Sequence, residues 1–585
     1  MGDLMALVDA QAAALDHYDL IVIGSGFGSS FFTRKFLEKR RGRILMVEWG
    51  QHHAHDWQVE NKKNSEIDHF STYASNSEKP WNFTVGLGGG MNCWFGQTPR
   101  FHPSDFKLRS LYGVGLDWPF GYEELEPFYA EAEQIMSVSG DPDMASIMPR
   151  STPFPQPPHK LSGPDRIMKA AHPNLHFAMP TARARIPTDG RTSCCASFRC
   201  QICPVDAKFS ANNGFGSLYY GDQIDLLLGA EVRRLDSANG VVSAAIVNVG
   251  GREMRLTADL FVLGANAIQS PAIMLRSGLE TPLTGVGLHE SLGTFVEAYL
   301  DGVEGFDGST ITTGLNFSLY DGAFRSEYGG ALIYFENRWT HGFRPEPGKW
   351  KQTIPMMIVT EDILDDRNKV VLDKNQNAYV SFAGASDYAR RGQEEAFKKL
   401  DKALSPLPVE KIIFRSERRT ESHLQGTMRI GNDPQTSVID PQMIHHQIRN
   451  LVVVGLGVAT GAGLYEASVK PPALIDALLR DMTGPFKMSR LQMNILVSTF
   501  QERVELPVGW KQATLTALAQ AGALGLSIHA LPDGVAQPLE RMRRDLLTHF
   551  IVNTNFLDPS RAADAPVEYV DRGASCTSPF AKFDV

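Results

Sequence analysis

Tyr18-Asp-Leu-Ile-Val-Ile-Gly-Ser-Gly-Phe-Gly-Ser-Ser30, then a helix-compatible stretch, then Arg43-Ile-Leu-Met-Val-Glu-Trp-Gly50, reads as a dinucleotide-binding βαβ unit. The apolar run Leu20 to Ile23 has the character of a buried parallel strand. Gly24, Gly26 and Gly28 let the backbone turn tightly behind it and bring a helix N-terminus against a pyrophosphate. Glu48 closes the second strand about 20 residues after Gly28, the separation at which an acid reaches a ribose 2′-hydroxyl, and it disfavours a 2′-phosphate there. Ordinary turns also carry Gly-x-Gly; the reading rests on strand, glycines, helix and acid standing in register.

A chain of 585 residues is too long for one compact core and corresponds to roughly three or four domain-sized units. Hydrophobic residues at 43% and charged residues at 21% match soluble globular proteins, which argues against disordered and fibrous classes. A formal charge of −9 with no basic block argues against nucleic acid as the main partner. The start, Met1-Gly-Asp-Leu-Met-Ala-Leu-Val-Asp9, carries acids where a secretory segment carries bases, and no twin arginine precedes the first strand. The expected location is therefore cytoplasmic, or periplasmic only if the chain is exported with a partner. No stretch reaches the roughly 18 consecutive apolar residues of a transmembrane segment, and Leu451 to Leu464 reads instead as a strand followed by a close-packed turn.

Four of the six cysteines crowd into Cys194-Cys195-Ala-Ser-Phe-Arg-Cys200-Gln-Ile-Cys203. In a large chain such clustering rarely serves a disulfide framework. Four thiolates around a small volume suit an iron–sulfur cluster held by soft ligands. Zinc is the alternative, although vicinal cysteines are an unusual way to supply two corners of a tetrahedron; a local disulfide or free thiols are another. Cys93 and Cys576 stand apart.

Three further blocks carry a family likeness. Gly88-Gly-Gly-Met-Asn-Cys-Trp-Phe-Gly96 leads into Arg100-Phe-His-Pro-Ser-Asp-Phe106, and His423-Leu-Gln-Gly-Thr-Met-Arg-Ile-Gly431 leads into Asn450-Leu-Val-Val-Val-Gly455. With the first glycine turn, these blocks resemble the glucose-methanol-choline oxidoreductases over roughly residues 18–482. The branch most resembled contains pyranose oxidases and bacterial FAD-linked sugar dehydrogenases. The resemblance implies FAD as cofactor, with Gly89, Asn92, Cys93, Val232 and Gly455 joining Gly24, Gly26, Gly28 and Glu48 around it. The turn Gly264-Ala-Asn-Ala-Ile-Gln-Ser-Pro271 fits a later flavin-contacting segment. Cluster-bearing members of the branch carry a similar paired-cysteine run, which supports the iron–sulfur reading of Cys194, Cys195, Cys200 and Cys203.

By the same resemblance His423 is the catalytic base, an imidazole able to be neutral near pH 7 and to take a hydroxyl proton. Two positions depart from the pattern. The family's second catalytic residue, His or Asn, falls about 43 residues downstream, where this chain has Glu466. A carboxylate there would raise the histidine pKa and strengthen the base; alternatively, with a small slip in register, Glu466 merely pairs with Lys470. Cys93 stands before Trp94, where covalent members carry a flavin-linked histidine. A thioether is chemically open to it, but a small thiol also packs as a hydrophobe, and noncovalent FAD is the expectation.

The expected fold class is α/β: a Rossmann-like FAD-binding domain from 17–125, 190–295 and 420–485, an antiparallel-sheet substrate domain from 126–189 and 296–419, and a partly helical extension over 486–585. Ala331 to Phe335, Ile354 to Val359 and the hairpin-like 369–382 supply strands of the substrate domain. The proline-rich stretch 149–164 reads as a linker crossing the surface. The expected substrate is a small polyol or sugar, aminosugar or cyclitol, with an electron-acceptor protein or small subunit as a further partner. An oxidase with structural cysteines and a non-catalytic flavin-bound redox or interaction subunit are the alternatives.

Overall fold

The computed structural model describes residues 6–455 apart from 198 and 338–348. Leu20 to Ile23 and Ile44 to Val47 are wholly buried and pair in parallel, as continuous apolar runs covered on both faces must. The parallel sheet runs Asp225–Leu227, Ile44–Val47, His17–Ile23, Arg252–Leu263, with Leu451–Val453 adding in parallel along Phe261 to Leu263. Strand Arg252–Leu263 has two roles. Its first half pairs antiparallel with Val241–Val249, which pairs with Ala230–Ala238, and its second half enters the parallel sheet.

Three turns meet at the C-terminal ends of these strands. Gly24 has φ +85°, and a Cβ there would stand 2.6 Å from the Gly264 carbonyl oxygen. A Cβ on Gly28 would stand 2.7 Å from the backbone nitrogen of Gly455. The glycines therefore let separate βα turns touch backbone to backbone, which brings residues 24–28, 264–269 and 455 to one edge.

The second sheet is antiparallel throughout, in the order Val409–Glu417, Leu292–Leu300, Thr353–Thr360, Ala331–Glu336, Thr312–Leu319, His176–Ala178. One face buries Val296, Ala298, Ile333, Met356 and Ile358 with Ala396 and Leu400, from the segment containing helix Asp387–Lys398. Fully burying each large aliphatic chain contributes about 1.5–3 kcal/mol. The hairpin Lys369–Leu372 with Ala378–Ser381 forms as expected and extends a small third sheet with Ala74–Ser75. The molecule is thus mixed α/β, with a parallel and an antiparallel sheet. Among the described residues no helix is long and apolar enough to cross a membrane.

The stretch 149–164 runs over the surface for most of its length, as its prolines suggest, but it is pinned at several points. Gln156, His159 and Ser162 are buried. Gln156 Oε1 accepts from the backbone N–H groups of Arg185 and Ile186, and a ring nitrogen of His159 lies 2.9 Å from the Arg183 carbonyl oxygen. Side chains that satisfy backbone groups let an irregular segment be buried.

Candidate active site

A cleft of about 810 Å³ opens where the strand ends of the parallel sheet face the antiparallel sheet. That volume suits a cofactor together with a small substrate. Its lining brings together Gly24, Gly26, Gly28, Glu48 and Val232 of the glycine side, Gly89, Cys93, Gln97 and Asn266, and His423 with Glu421, Arg418, Tyr334 and Met357. Gly455 also lines it.

The glycine end fits a dinucleotide. Helix Phe27–Lys39 begins after Gly26, and a Cβ built on Gly26 would meet no atom within 4 Å, so the space beside that turn is open. Backbone N–H groups of a first helical turn have no intrahelical acceptor and favour an anion there. Glu48 is buried; its carboxylate accepts from Ser25 N (3.1 Å), Ser25 Oγ (2.6 Å) and Gly50 N (3.1 Å). Burial pushes its pKa up, and these donors oppose the shift. Carboxylate oxygens have lone pairs beyond those three contacts, which leaves capacity for ribose hydroxyls.

Asn92 is placed differently from the other cofactor residues. It does not line the cleft but stands behind its wall, donating from Nδ2 to Leu87 O and accepting at Oδ1 from Ala211 N. Cys93 does line the cleft, with its Sγ 3.0 Å from Thr84 Oγ1.

His423 is held by its neighbours in sequence and by Glu290. The Glu290 carboxylate accepts from the backbone N–H of His423 (3.1 Å) and of Glu421 (3.2 Å), and Lys79 closes an ion pair on its other side. Ser422, immediately before the histidine, takes φ +63°, and Thr427 Oγ1 donates to Ala267 O in the glycine-side turn. Burial lowers the His423 pKa from 6.5 to about 4, with Glu290 pulling it up and Arg418 pulling it down. The imidazole is therefore neutral, and able to accept a proton, at neutral pH. Glu421 pairs with Arg418 (3.3 Å), while burial raises its carboxyl to about 7. The carboxylate expected beside His423, Glu466, lies outside the described residues; among the described ones Glu290 takes the nearby position. Glu421, Arg418 and Gln97 lie outside the motifs quoted above and only their place in the cleft lining marks them, while Glu290 is marked by its bonds to the backbone of Glu421 and His423.

None of the four clustered cysteines lines the cleft, although Gln201 of their loop does. Cys200 is buried, Cys194 and Cys203 are half-buried, and Cys195 is exposed. Among the described residues no three Cys, His, Asp or Glu side chains converge as they would on a single metal ion. One tetrahedral ion with bonds of about 2.3 Å needs its sulfurs nearly in contact, so the loop as placed does not fit zinc. A multi-iron cluster is several atoms across and takes thiolates farther apart. Burial pushes the Cys200 thiol up, and Arg183 and Lys208 nearby pull it the other way.

Comparison with known proteins agrees with this geometry. A family described as "GMC oxidoreductase" matches residues 341–466. The fructose dehydrogenase large subunit of Gluconobacter japonicus is 24% identical, over 79% of this chain and 98% of that protein. The paromamine 6'-oxidase of Streptomyces fradiae is 26% identical, over 79% and 89% respectively. Among solved structures, the pyridoxine 4-oxidase from Mesorbium loti shares the fold with a TM-score of 0.53 at 17% identity, covering 79% of this chain and 98% of that one. With a glycine-turned parallel sheet, a cleft shared with His423 and these relatives, the chain is similar to GMC oxidoreductases and is an FAD-dependent oxidoreductase.

Proposed function

We propose that the protein oxidises a CH–OH group of a sugar, aminosugar or cyclitol and passes the electrons on through an iron–sulfur cluster rather than to oxygen. The observation that carries this reading is that one cleft holds both the open glycine turn and His423. FAD, held by Gly24, Gly26, Gly28 and Glu48, would supply the hydride acceptor. His423, neutral because desolvation lowers its pKa, takes the hydroxyl proton as the hydride leaves the carbon, and Glu290 keeps the imidazole in place through its backbone. Tyr334, Met357 and Val359 close the substrate end with apolar surface, while Glu421, Arg418 and Gln97 offer polar contacts to hydroxyl groups. Cys194, Cys195, Cys200 and Cys203 would hold the cluster, which supplies a one-electron exit. A relative described as a large subunit supports a small subunit or electron-acceptor protein as partner.

The test is anaerobic mixing of the FAD-loaded protein with a panel of sugars, aminosugars and cyclitols, together with iron and sulfide analysis. Bleaching of the flavin by at least one member, with iron and sulfide present, is expected. No bleaching by any of them would overturn the substrate class, and absence of iron and sulfide would overturn the electron exit. An oxidase is the second reading, favoured by the relatives described as oxidases; stoichiometric peroxide from substrate and air alone would establish it.

A further inference from the structure

Two cations are buried beside the cysteine loop with neutral partners only. Arg183 is 1% exposed and Lys208 is 2% exposed. Arg183 donates from Nε to Thr310 Oγ1 (2.8 Å) and from Nη1 to Phe95 O (2.5 Å), and its buried Nη2 has no hydrogen-bond partner. Lys208 Nζ donates to the carbonyls of Asn92 (3.0 Å), Trp94 (2.8 Å) and Gln201 (3.3 Å). A buried charge without a counter-charge is costly, so a fold that keeps two side by side calls for anions nearby.

The groups in position are sulfurs. Thr310 Oγ1, which accepts from Arg183, lies 3.5 Å from Cys194 Sγ, so its own hydrogen is available to that sulfur. The backbone N–H of Ala207 donates to Cys203 Sγ at 3.3 Å. Burial pushes the Lys208 pKa down to about 8, and Cys93, Cys200, Cys203 and Asp206 nearby oppose the shift. Arg183 and Lys208 are paired across an antiparallel bridge, and both pack on Gly96, where an added Cβ would stand 3.2 Å from Lys208 Cγ and 3.3 Å from Arg183 Cγ. Of the carbonyls they hold, those of Asn92, Trp94 and Phe95 belong to the segment whose Cys93, Trp94 and Phe95 line the cleft, and that of Gln201 belongs to the cysteine loop. The two cations thus stand between the cleft wall and the cysteine loop.

We infer that Arg183 and Lys208 are the counter-ions of anionic sulfur on the 194–203 loop, setting the charge balance of that centre and tying it to the cleft wall. The inference rests on the cysteines being cluster ligands. Reduction adds negative charge to a thiolate-held cluster, and a fixed cation nearby favours the reduced form. Removing the cation therefore lowers the cluster's reduction potential.

The full-length, FAD-loaded protein is tested as wild type, Arg183→Gln, Arg183→Lys and Lys208→Gln. Each receives iron and sulfide analysis and a redox titration followed by electron paramagnetic resonance. Arg183→Gln and Lys208→Gln are expected to keep FAD and shift the cluster midpoint to lower potential, with Arg183→Lys close to wild type. An unchanged midpoint in both glutamine variants overturns the inference while leaving the cluster reading intact. If Arg183→Gln cannot hold the cluster, retention in Arg183→Lys supports a role for charge, and loss from both overturns it in favour of shape. A wild-type protein without iron and sulfide overturns the cluster reading, and the inference falls with it.

Discussion

Gly26 separates binding from folding at the residue scale. A Cβ there meets no atom within 4 Å, so Gly26→Val should fold normally yet fill the space of the pyrophosphate and abolish FAD retention. Flavin absorbance after gel filtration, beside circular dichroism, checks this; stoichiometric FAD in the variant would refute the placement. His423→Ala should slow anaerobic flavin reduction by about 10²- to 10⁴-fold, the range of a positioned general base, with FAD still bound. The pH profile follows from the shift. With its pKa lowered to about 4, His423 remains a competent base from neutrality down to about pH 5, and reduction falls off as the imidazolium forms near 4. Glu421 has the opposite linkage. Its folded pKa of about 7 lies above the ordinary 4.5, so its contribution to stability is full below 4.5 and is lost as pH rises through 7. Glu421→Gln, which cannot ionise, should therefore gain more stability over wild type at pH 8 than at pH 5 in parallel thermal melts.

At the element scale, the site depends on a short segment clamped between two others. Residues 420–427 have no regular structure of their own, and they are fixed by Glu290 on one side and by the Ala267 carbonyl on the other. Glu290→Ala removes the acceptor for two backbone N–H groups and leaves Lys79 without its partner. Flavin reduction should fall by about tenfold or more, as misplacement of a catalytic group does, while FAD content holds; stopped-flow absorbance decides it. The strands here were legible from sequence in proportion to their burial. Leu20 to Ile23, Ala331 to Phe335 and Ile354 to Val359 are continuous apolar runs in sheet interiors, whereas edge strand Val409–Glu417 carries Glu410, Lys411, Arg415 and Glu417 and gives little apolar signal. The prolines of 149–164 indicated its surface course but not its buried anchors Gln156, His159 and Ser162, because proline reports the missing backbone donor, not whether neighbouring side chains satisfy what remains.

On the scale of the whole molecule, a buried ionic node ties the segment around Asp105 to the antiparallel sheet. Arg325 donates to Asp105 (2.8 Å) and to Glu361 (2.9 and 2.5 Å), and the side chains of all three are fully buried. Tyr320 and Tyr388 donate to the same two carboxylates. Arg325→Met would strand two buried carboxylates, and a loss of about 3–5 kcal/mol is expected from breaking such a pair. Urea denaturation followed by tryptophan fluorescence measures it; a loss under about 1 kcal/mol would mean that the carboxylates protonate without penalty.

The amino-acid sequence by itself determined the dinucleotide-binding βαβ unit, because Gly24, Gly28 and the buried runs around them are local requirements of backbone and packing. It also marked His423 and the cysteine loop, because those residues come in motifs. Tertiary structure alone decided which polar groups surround them. Glu290 reaches His423 across about 130 residues of chain, and an isolated antiparallel bridge folds the chain back so that Arg183 and Lys208 stand side by side at the base of the cysteine loop. Buried charges are balanced by whatever the fold brings within a few ångströms, and no spacing along the chain encodes that neighbourhood.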